Sequence, residues 1–262
     1  MSRALELVER TLEENPGVPI YTLGPLIHNT RVVEEFRARG VVPVKDMEGL
    51  DRGIVVIRSH GVGPEEKRRV KESGLAVVDA TCPHVRRAQR TVRDYAARGY
   101  DAIIVGDAEH GEVQGIRGYA VKSTVIDSVG QAEGMEISER SIVVCQTTFD
   151  SARYREICAV LRGRKPDILV FDTGCAATEK RRESVASLAG RVDAIVVIGG
   201  RQSANTRWLL QAALKTGKPA WHVEGAGDIP VEVAGYARVG ISAGASTPES
   251  IIDEVEKALL AM

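Results

Sequence analysis

Cys82 and Cys175 each follow closely on a short apolar run, in Asp79-Ala80-Thr81-Cys82-Pro83 and Thr173-Gly174-Cys175. Thiolates at the end of a strand are suited to soft iron, and cysteine is the usual ligand of iron–sulfur clusters. The plainer reading is two small side chains closing off strand ends, and no Cys-x-x-Cys spacing decides between them. His28, His60 and His110 sit beside Asn29, Gly61 and Gly111 at the ends of apolar segments. Imidazoles with backbone N–H groups nearby can hold phosphate oxygens, or they can be tied into a local turn. Glu112, near a helix start, is either a proton donor or a first-turn acid favoured by the helix dipole. Ser203, Asn205 and Ser246 offer hydroxyl and amide donors. Ser246-Thr247-Pro248-Glu249 also has the form of a capping box with proline near the helix start, which makes Ser246 a structural cap unless neighbouring loops converge on it. Cys145 and Cys158 fall within apolar patterns and read as core.

These residues need elements to position them. Apolar runs of strand length cover Gly53–Arg58, Leu75–Asp79, Asp101–Gly106, Ser141–Gln146, Asp167–Asp172, Asp193–Gly199 and Ala237–Ser242. They are apolar on consecutive positions, as expected of strands covered on both faces. Between them lie helical patterns: Val32, Val33 and Phe36 share a face in Asn29–Arg39, and Tyr154, Ile157, Cys158 and Leu161 form a stripe in Asp150–Leu161. Strand–helix alternation predicts an α/β fold with mainly parallel sheets. Most candidate side chains fall in small polar clusters directly after a strand. Parallel sheets bind ligands at the carboxyl ends of their strands, where helix N-termini offer free N–H groups. One polar site shared by several strand ends is therefore expected.

The chain has 262 residues, 44% hydrophobic and 27% charged, the composition of an ordinary globular protein. Lys plus Arg number 35 against 36 Asp plus Glu, so no global field attracts nucleic acid or an anionic membrane. Apolar runs stay far below the roughly 18 residues of a membrane span. The start, Met1-Ser2-Arg3-Ala4-Leu5-Glu6, is charged and lacks the apolar core of a signal peptide. A cytoplasmic protein with reduced thiols is expected. No Gly-x-Gly-x-x-Gly fingerprint follows a strand and no Gly-x-x-x-x-Gly-Lys-Ser/Thr loop occurs, which argues against a generic nucleotide-binding protein.

Taken in order, Leu26-Ile27-His28-Asn29, Ser59-His60-Gly61-Val62, Asp79-Ala80-Thr81-Cys82-Pro83, His110-Gly111-Glu112-Val113, Gln146-Thr147-Thr148, Cys175-Ala176-Ala177-Thr178, Ser203-Ala204-Asn205 and Ala243-Gly244-Ala245-Ser246 resemble the LytB/IspH family of iron–sulfur reductases. Each segment is weak alone, but the ordered set covers essentially the whole chain. The resemblance implies three similar α/β modules around a central cleft, here residues 1–82, 83–174 and 175–262. It implies reduction of 4-hydroxy-3-methylbut-2-enyl diphosphate to isopentenyl and dimethylallyl diphosphate, the last step of the non-mevalonate isoprenoid route. A [4Fe–4S] cluster on three cysteines is implied, with Cys82 and Cys175 as two of them, and an electron donor such as ferredoxin or flavodoxin. By the same resemblance His28, His60, Ser203, Asn205 and Ser246 grip the diphosphate and His110 lies near the cluster side of the substrate. Glu112 delivers protons, and Thr147 orients the hydroxyl or a water.

The sequence departs from the family pattern in places. Ala204 stands where Ser is frequent, Gly111 where Pro is usual, and Arg182 where Gln is common. Met1-Ser2-Arg3-Ala4 matches only the tail of the family's opening motif, so the first cluster cysteine and its strand are missing. On this reading Met1 is not the natural start and the third cysteine lies just upstream. The chain as given is then expected to hold iron poorly and to be inactive. The alternative is a diphosphate-binding remnant that has lost cluster and catalysis.

Overall fold

The computed structural model describes residues 2–27 and 29–262. Along the first third run α1 (Ser2–Glu14), β1 (Ile20–Leu23), α2 (Thr30–Ala38), β2 (Val41–Val44), β3 (Ile54–Ile57), α3 (Pro64–Glu72) and β4 (Ala76–Asp79). There follow α4 (Pro83–Ala96), β5 (Asp101–Val105), α5 (Gly111–Arg117), β6 (Ser123–Ile126), α6 (Val129–Gly134), β7 (Ser141–Cys145), α7 (Ser151–Arg164) and β8 (Leu169–Val170). The last third holds α8 (Ala176–Ala189), β9 (Ala194–Ile198), α9 (Ala204–Lys215), β10 (Ala220–Val223), β11 (Val239–Ala243) and α10 (Glu249–Leu260). The strands form three sheets, in the orders β2-β1-β3-β4, β6-β5-β7-β8 and β10-β9-β11. Pairing is parallel, with Ile54 opposite Ala76, Ile104 opposite Val144 and Val196 opposite Ile241 as examples of the register. The α/β class with parallel sheets is as the sequence predicts.

Burial explains why these strands form. Every residue of β3, β7 and β9 is buried, and each of these strands is flanked on both sides by neighbours. All seven apolar runs become strands. The sequence reading passes over four others, β1, β2, β6 and β10, and three of these are edges. An edge strand is only partly covered, so it need not be apolar throughout. The Ser-Thr of β6, the His222 of β10 and the Pro43 of β2 fit that position, since proline is tolerated at an edge.

Local chemistry sets several helix starts. Asn29 accepts from the Val32 N–H at 3.2 Å to begin α2, and Asp150 accepts from the Arg153 N–H at 2.9 Å to begin α7. α7 buries Tyr154, Ile157, Cys158 and Leu161, the stripe read from the sequence. In α2 Val32 and Phe36 are buried while Val33 is half-buried. The capping box expected at Ser246 does not form. α10 starts at Glu249 with Pro248 in the cap position, so Ser246 lies two residues too early. The Thr247 hydroxyl instead donates to the Ile198 carbonyl at 3.0 Å.

The chain divides into two compact units. One comprises Pro25–Pro43 and Ala176–Met262 with the first turn of α1, and packs Val185, Ile195, Val197, Leu209 and Ala213 together. The other comprises Leu7–Gly24 and Val44–Cys175. Its apolar clusters include Leu23, Val55 and Ile57 under the first sheet, with Ile104 and Val144 on one face of the second and Val105 and Val143 on the other.

Candidate active site

Within the unit containing Val44–Cys175, strand ends carry Ser59 and His60 after β3, Cys82 after β4, His110 and Glu112 after β5, Thr147 after β7 and Cys175 after β8. The centre of this group is Glu112, whose side chain is 2% exposed. One carboxyl oxygen accepts from the Thr147 backbone N–H at 2.6 Å, and the other lies 2.9 Å from the Thr147 hydroxyl. Burial raises the Glu112 pKa to about 7, and the two contacts from Thr147 pull in the opposite direction. The surface acid suggested by the helix dipole is therefore not what forms. Glu112 is in the first turn of α5 but inside the protein, where burial holds its pKa near neutrality.

His110 caps the same helix. Its Nδ1 accepts from the Glu112 N–H at 3.2 Å, which assigns the ring proton of a neutral imidazole to Nε2. His60 stands edge-on to it, with ring centroids 5.3 Å apart and planes at 81°. Both rings are buried.

Thr147 has a second partner: its carbonyl accepts from the Cys175 N–H at 2.9 Å. One peptide segment thus holds both the carboxyl and the backbone of a candidate iron ligand. Cys82 is fixed by its own N–H, which donates to the Ser59 carbonyl at 2.9 Å, immediately before α4. Cys82 and Cys175 are half-exposed free thiols, whereas Cys145 and Cys158 are buried. Burial drives the Cys145 thiol up to about 12 and also raises Cys158, which leaves both as inert core groups. Among the described residues no three His, Cys, Asp or Glu side chains gather into a metal site. Two thiols suited to iron are present, and the described residues do not complete the three-thiolate set of a cluster with one open iron.

The unit containing Ala176–Met262 carries Ser203, Asn205 and Ser246. Ser203 caps α9, its hydroxyl oxygen accepting from the Thr206 N–H at 3.3 Å. Asn205 is 2% exposed and Ser246 1%, yet among the described residues neither amide atom of Asn205 nor the Ser246 hydroxyl has a hydrogen-bond partner. The fully buried Thr206 hydroxyl, which the sequence reading passes over, is equally unpartnered. Buried polar groups are nearly always satisfied, so four such atoms in neighbouring turns are unusual and leave donors and an acceptor open. Close backbone approach builds it. A Cβ at Gly199 (φ +148) would lie 2.7 Å from the Thr206 Oγ1, and one at Gly244 would collide with the same atom. These glycines bring the ends of β9 and β11 against the start of α9. This donor set suits an anion with many oxygens.

His28 lies outside the described residues. Arg182 pairs with Glu179 at 3.3 Å and stacks on Trp208. A cavity of about 550 Å³ opens at the other edge of the second sheet, lined by Asp101, Ser123 and Ser141 at the starts of β5, β6 and β7. None of the candidate residues lines it.

The chain is similar to known proteins along nearly its whole length. The Treponema denticola protein named 4-hydroxy-3-methylbut-2-enyl diphosphate reductase is 38% identical, over 98% of this chain and 92% of its own length. A solved (E)-4-hydroxy-3-methyl-but-2-enyl diphosphate reductase, titled the terminal enzyme of the non-mevalonate pathway, superposes with a TM-score of 0.74 at 36% identity, covering 100% of this chain and 94% of that one. The Plasmodium falciparum E-1-hydroxy-2-methyl-but-2-enyl-4-diphosphate reductase shares the fold with a TM-score of 0.90 at 24% identity, over 99% of this chain and 83% of its own. A family model described as LytB protein matches residues 1–260, and with these relatives it establishes that the chain belongs to the LytB family.

Proposed function

We propose that the chain is a reductase that converts 4-hydroxy-3-methylbut-2-enyl diphosphate to isopentenyl and dimethylallyl diphosphate. The observation that carries the chemistry is Glu112, a buried carboxyl with a pKa raised to about 7 and held on both oxygens by Thr147. The reaction breaks the allylic C–O bond, takes up two electrons and two protons, and releases water. A hydroxide is a poor leaving group, so the departing oxygen needs a proton as the bond breaks. Glu112 is the donor in this reading. The Thr147 hydroxyl orients the substrate hydroxyl or a water, and the Nε2 proton of His110 stabilises charge on the same side.

The diphosphate goes to His28, His60, Ser203, Asn205 and Ser246. Support comes from the unpartnered amide of Asn205 and hydroxyl of Ser246, which gain hydrogen bonds from a bound ligand. The reading includes a [4Fe–4S] cluster with Cys82 and Cys175 among its ligands. When bound, such a cluster supplies the two electrons, received from a ferredoxin- or flavodoxin-like donor. A cytoplasmic setting belongs to the same reading. Among the described residues no helix is long and apolar enough to cross a membrane.

The test is anaerobic reconstitution with iron and sulfide, then turnover of 4-hydroxy-3-methylbut-2-enyl diphosphate with a strong one-electron reductant. A chain with its cluster loaded should form both products. A loaded chain that binds substrate without converting it would overturn the reading. The reductase names of the relatives speak against the cluster-less remnant.

A further inference from the structure

Arg58 is the first residue after β3, where the apolar run Ile54-Val55-Val56-Ile57 ends, and it stands two residues before His60. It is half-buried, and among the described residues its fully buried Nε has no hydrogen-bond partner and its guanidinium forms no ion pair. Two glycines make room for it. A Cβ on Gly24 (φ +69), at the end of β1, would collide with Nη1. A Cβ on Gly111, the first residue of α5, would lie 3.3 Å from Nη2. The charge is therefore held beside the helix start that carries His110 and Glu112. Glu112 does not neutralise it, since both carboxyl oxygens are taken by Thr147.

Burying part of a guanidinium without a partner is costly, and a half-buried cation with no ion pair among the described residues is suited to a partner that arrives later. Its planar fork suits two oxygens of a phosphate. We infer that Arg58 is a substrate-binding residue that takes an anionic oxygen of the diphosphate alongside His60. This inference rests on the diphosphate reading of the site and adds to it a residue outside the motifs that carry the family resemblance. It also gives Gly111 a reason: a residue without a side chain leaves the guanidinium its place over α5.

The test is calorimetric binding of inorganic pyrophosphate to the full chain, which needs no turnover. Wild type should bind, Arg58→Met should bind roughly ten- to a hundredfold more weakly, as expected for a lost charge-assisted pair, and Arg58→Lys should fall between them. The melting temperatures of the variants should match wild type, because among the described residues the guanidinium forms no ion pair and its Nε no hydrogen bond. Pyrophosphate binding by Arg58→Met or Arg58→Lys at wild-type strength would overturn the assignment and leave the diphosphate reading intact. Absence of binding by wild type would overturn both. Should Arg58→Met fail to fold, the Arg58→Lys comparison decides.

Discussion

Replacing Glu112 with Gln should change how stability depends on pH. The pKa of Glu112 is about 7 in the folded protein against 4.5 for the free group, so folding tightens its hold on a proton. Below pH 4.5 the carboxyl is protonated in both states and contributes nothing to the pH dependence. Between 4.5 and 7 the unfolded chain ionises while the folded chain does not, so stability is lost as pH rises. Above 7 the loss is complete. At about 1.4 kcal/mol per pKa unit, the span from 4.5 to about 7 corresponds to about 3 kcal/mol. Glu112→Gln keeps the shape, and its amide can still accept from the Thr147 N–H and donate to the Thr147 hydroxyl, but it cannot ionise. The variant should gain about 3 kcal/mol on wild type between about pH 4.5 and about pH 8, read as a difference of two curves so that other groups cancel. Both tryptophans, Trp208 and Trp221, lie in the other unit, so fluorescence is the wrong probe. Hydrogen exchange of peptides covering β5 and β7, followed in urea, reports the right region. Parallel curves for variant and wild type would show that the carboxyl is not held neutral, and the proton-donor argument would lose its basis.

Turnover should fall as pH rises past about 7, where Glu112 loses its proton, and Glu112→Gln should bind pyrophosphate normally while losing about 10²–10⁴-fold in rate; a variant with wild-type kcat removes Glu112 as the acid. Asn205→Ala and Ser246→Ala should leave the melting temperature unchanged or raise it, because both delete unsatisfied atoms, and should weaken pyrophosphate binding about tenfold each; a marked loss of stability would make them structural. Ser203→Ala, by contrast, removes the cap of α9 and should cost about 1 kcal/mol in denaturant unfolding. A thiol reagent should modify Cys82 and Cys175 in the folded chain and reach Cys145 and Cys158 only after denaturation; four equally fast thiols would contradict the burial described.

The sequence discloses the strands that are covered on both faces, because β3, β7 and β9 are built from apolar runs that stay buried along their whole length. Strands without a continuous apolar run, such as β6 and β10, escape it, whereas β4, β8 and β11 are also only partly covered and are still legible from their apolar residues. Ser246 shows a different limit. Its motif matches a capping box, but the turn at Gly244 and the bond from Thr247 to Ile198 place the helix start two residues later. Glu112 is recognisable as a candidate acid from its position, yet its two bonds come from Thr147, far away in sequence. Arg58 does not stand out in the sequence, because an arginine at a strand end is ordinary until its lack of a partner is seen.

The Thr147 backbone links Glu112 through its N–H to Cys175 through its carbonyl. That link constrains which changes of length the protein can inherit. An insertion or deletion of one residue between Cys145 and Phe149 would turn a different peptide toward Glu112, and the carboxyl and the Cys175 backbone would no longer share a partner. Lineages can vary the surface turns around β6 freely, whereas this segment can change its side chains but not its count.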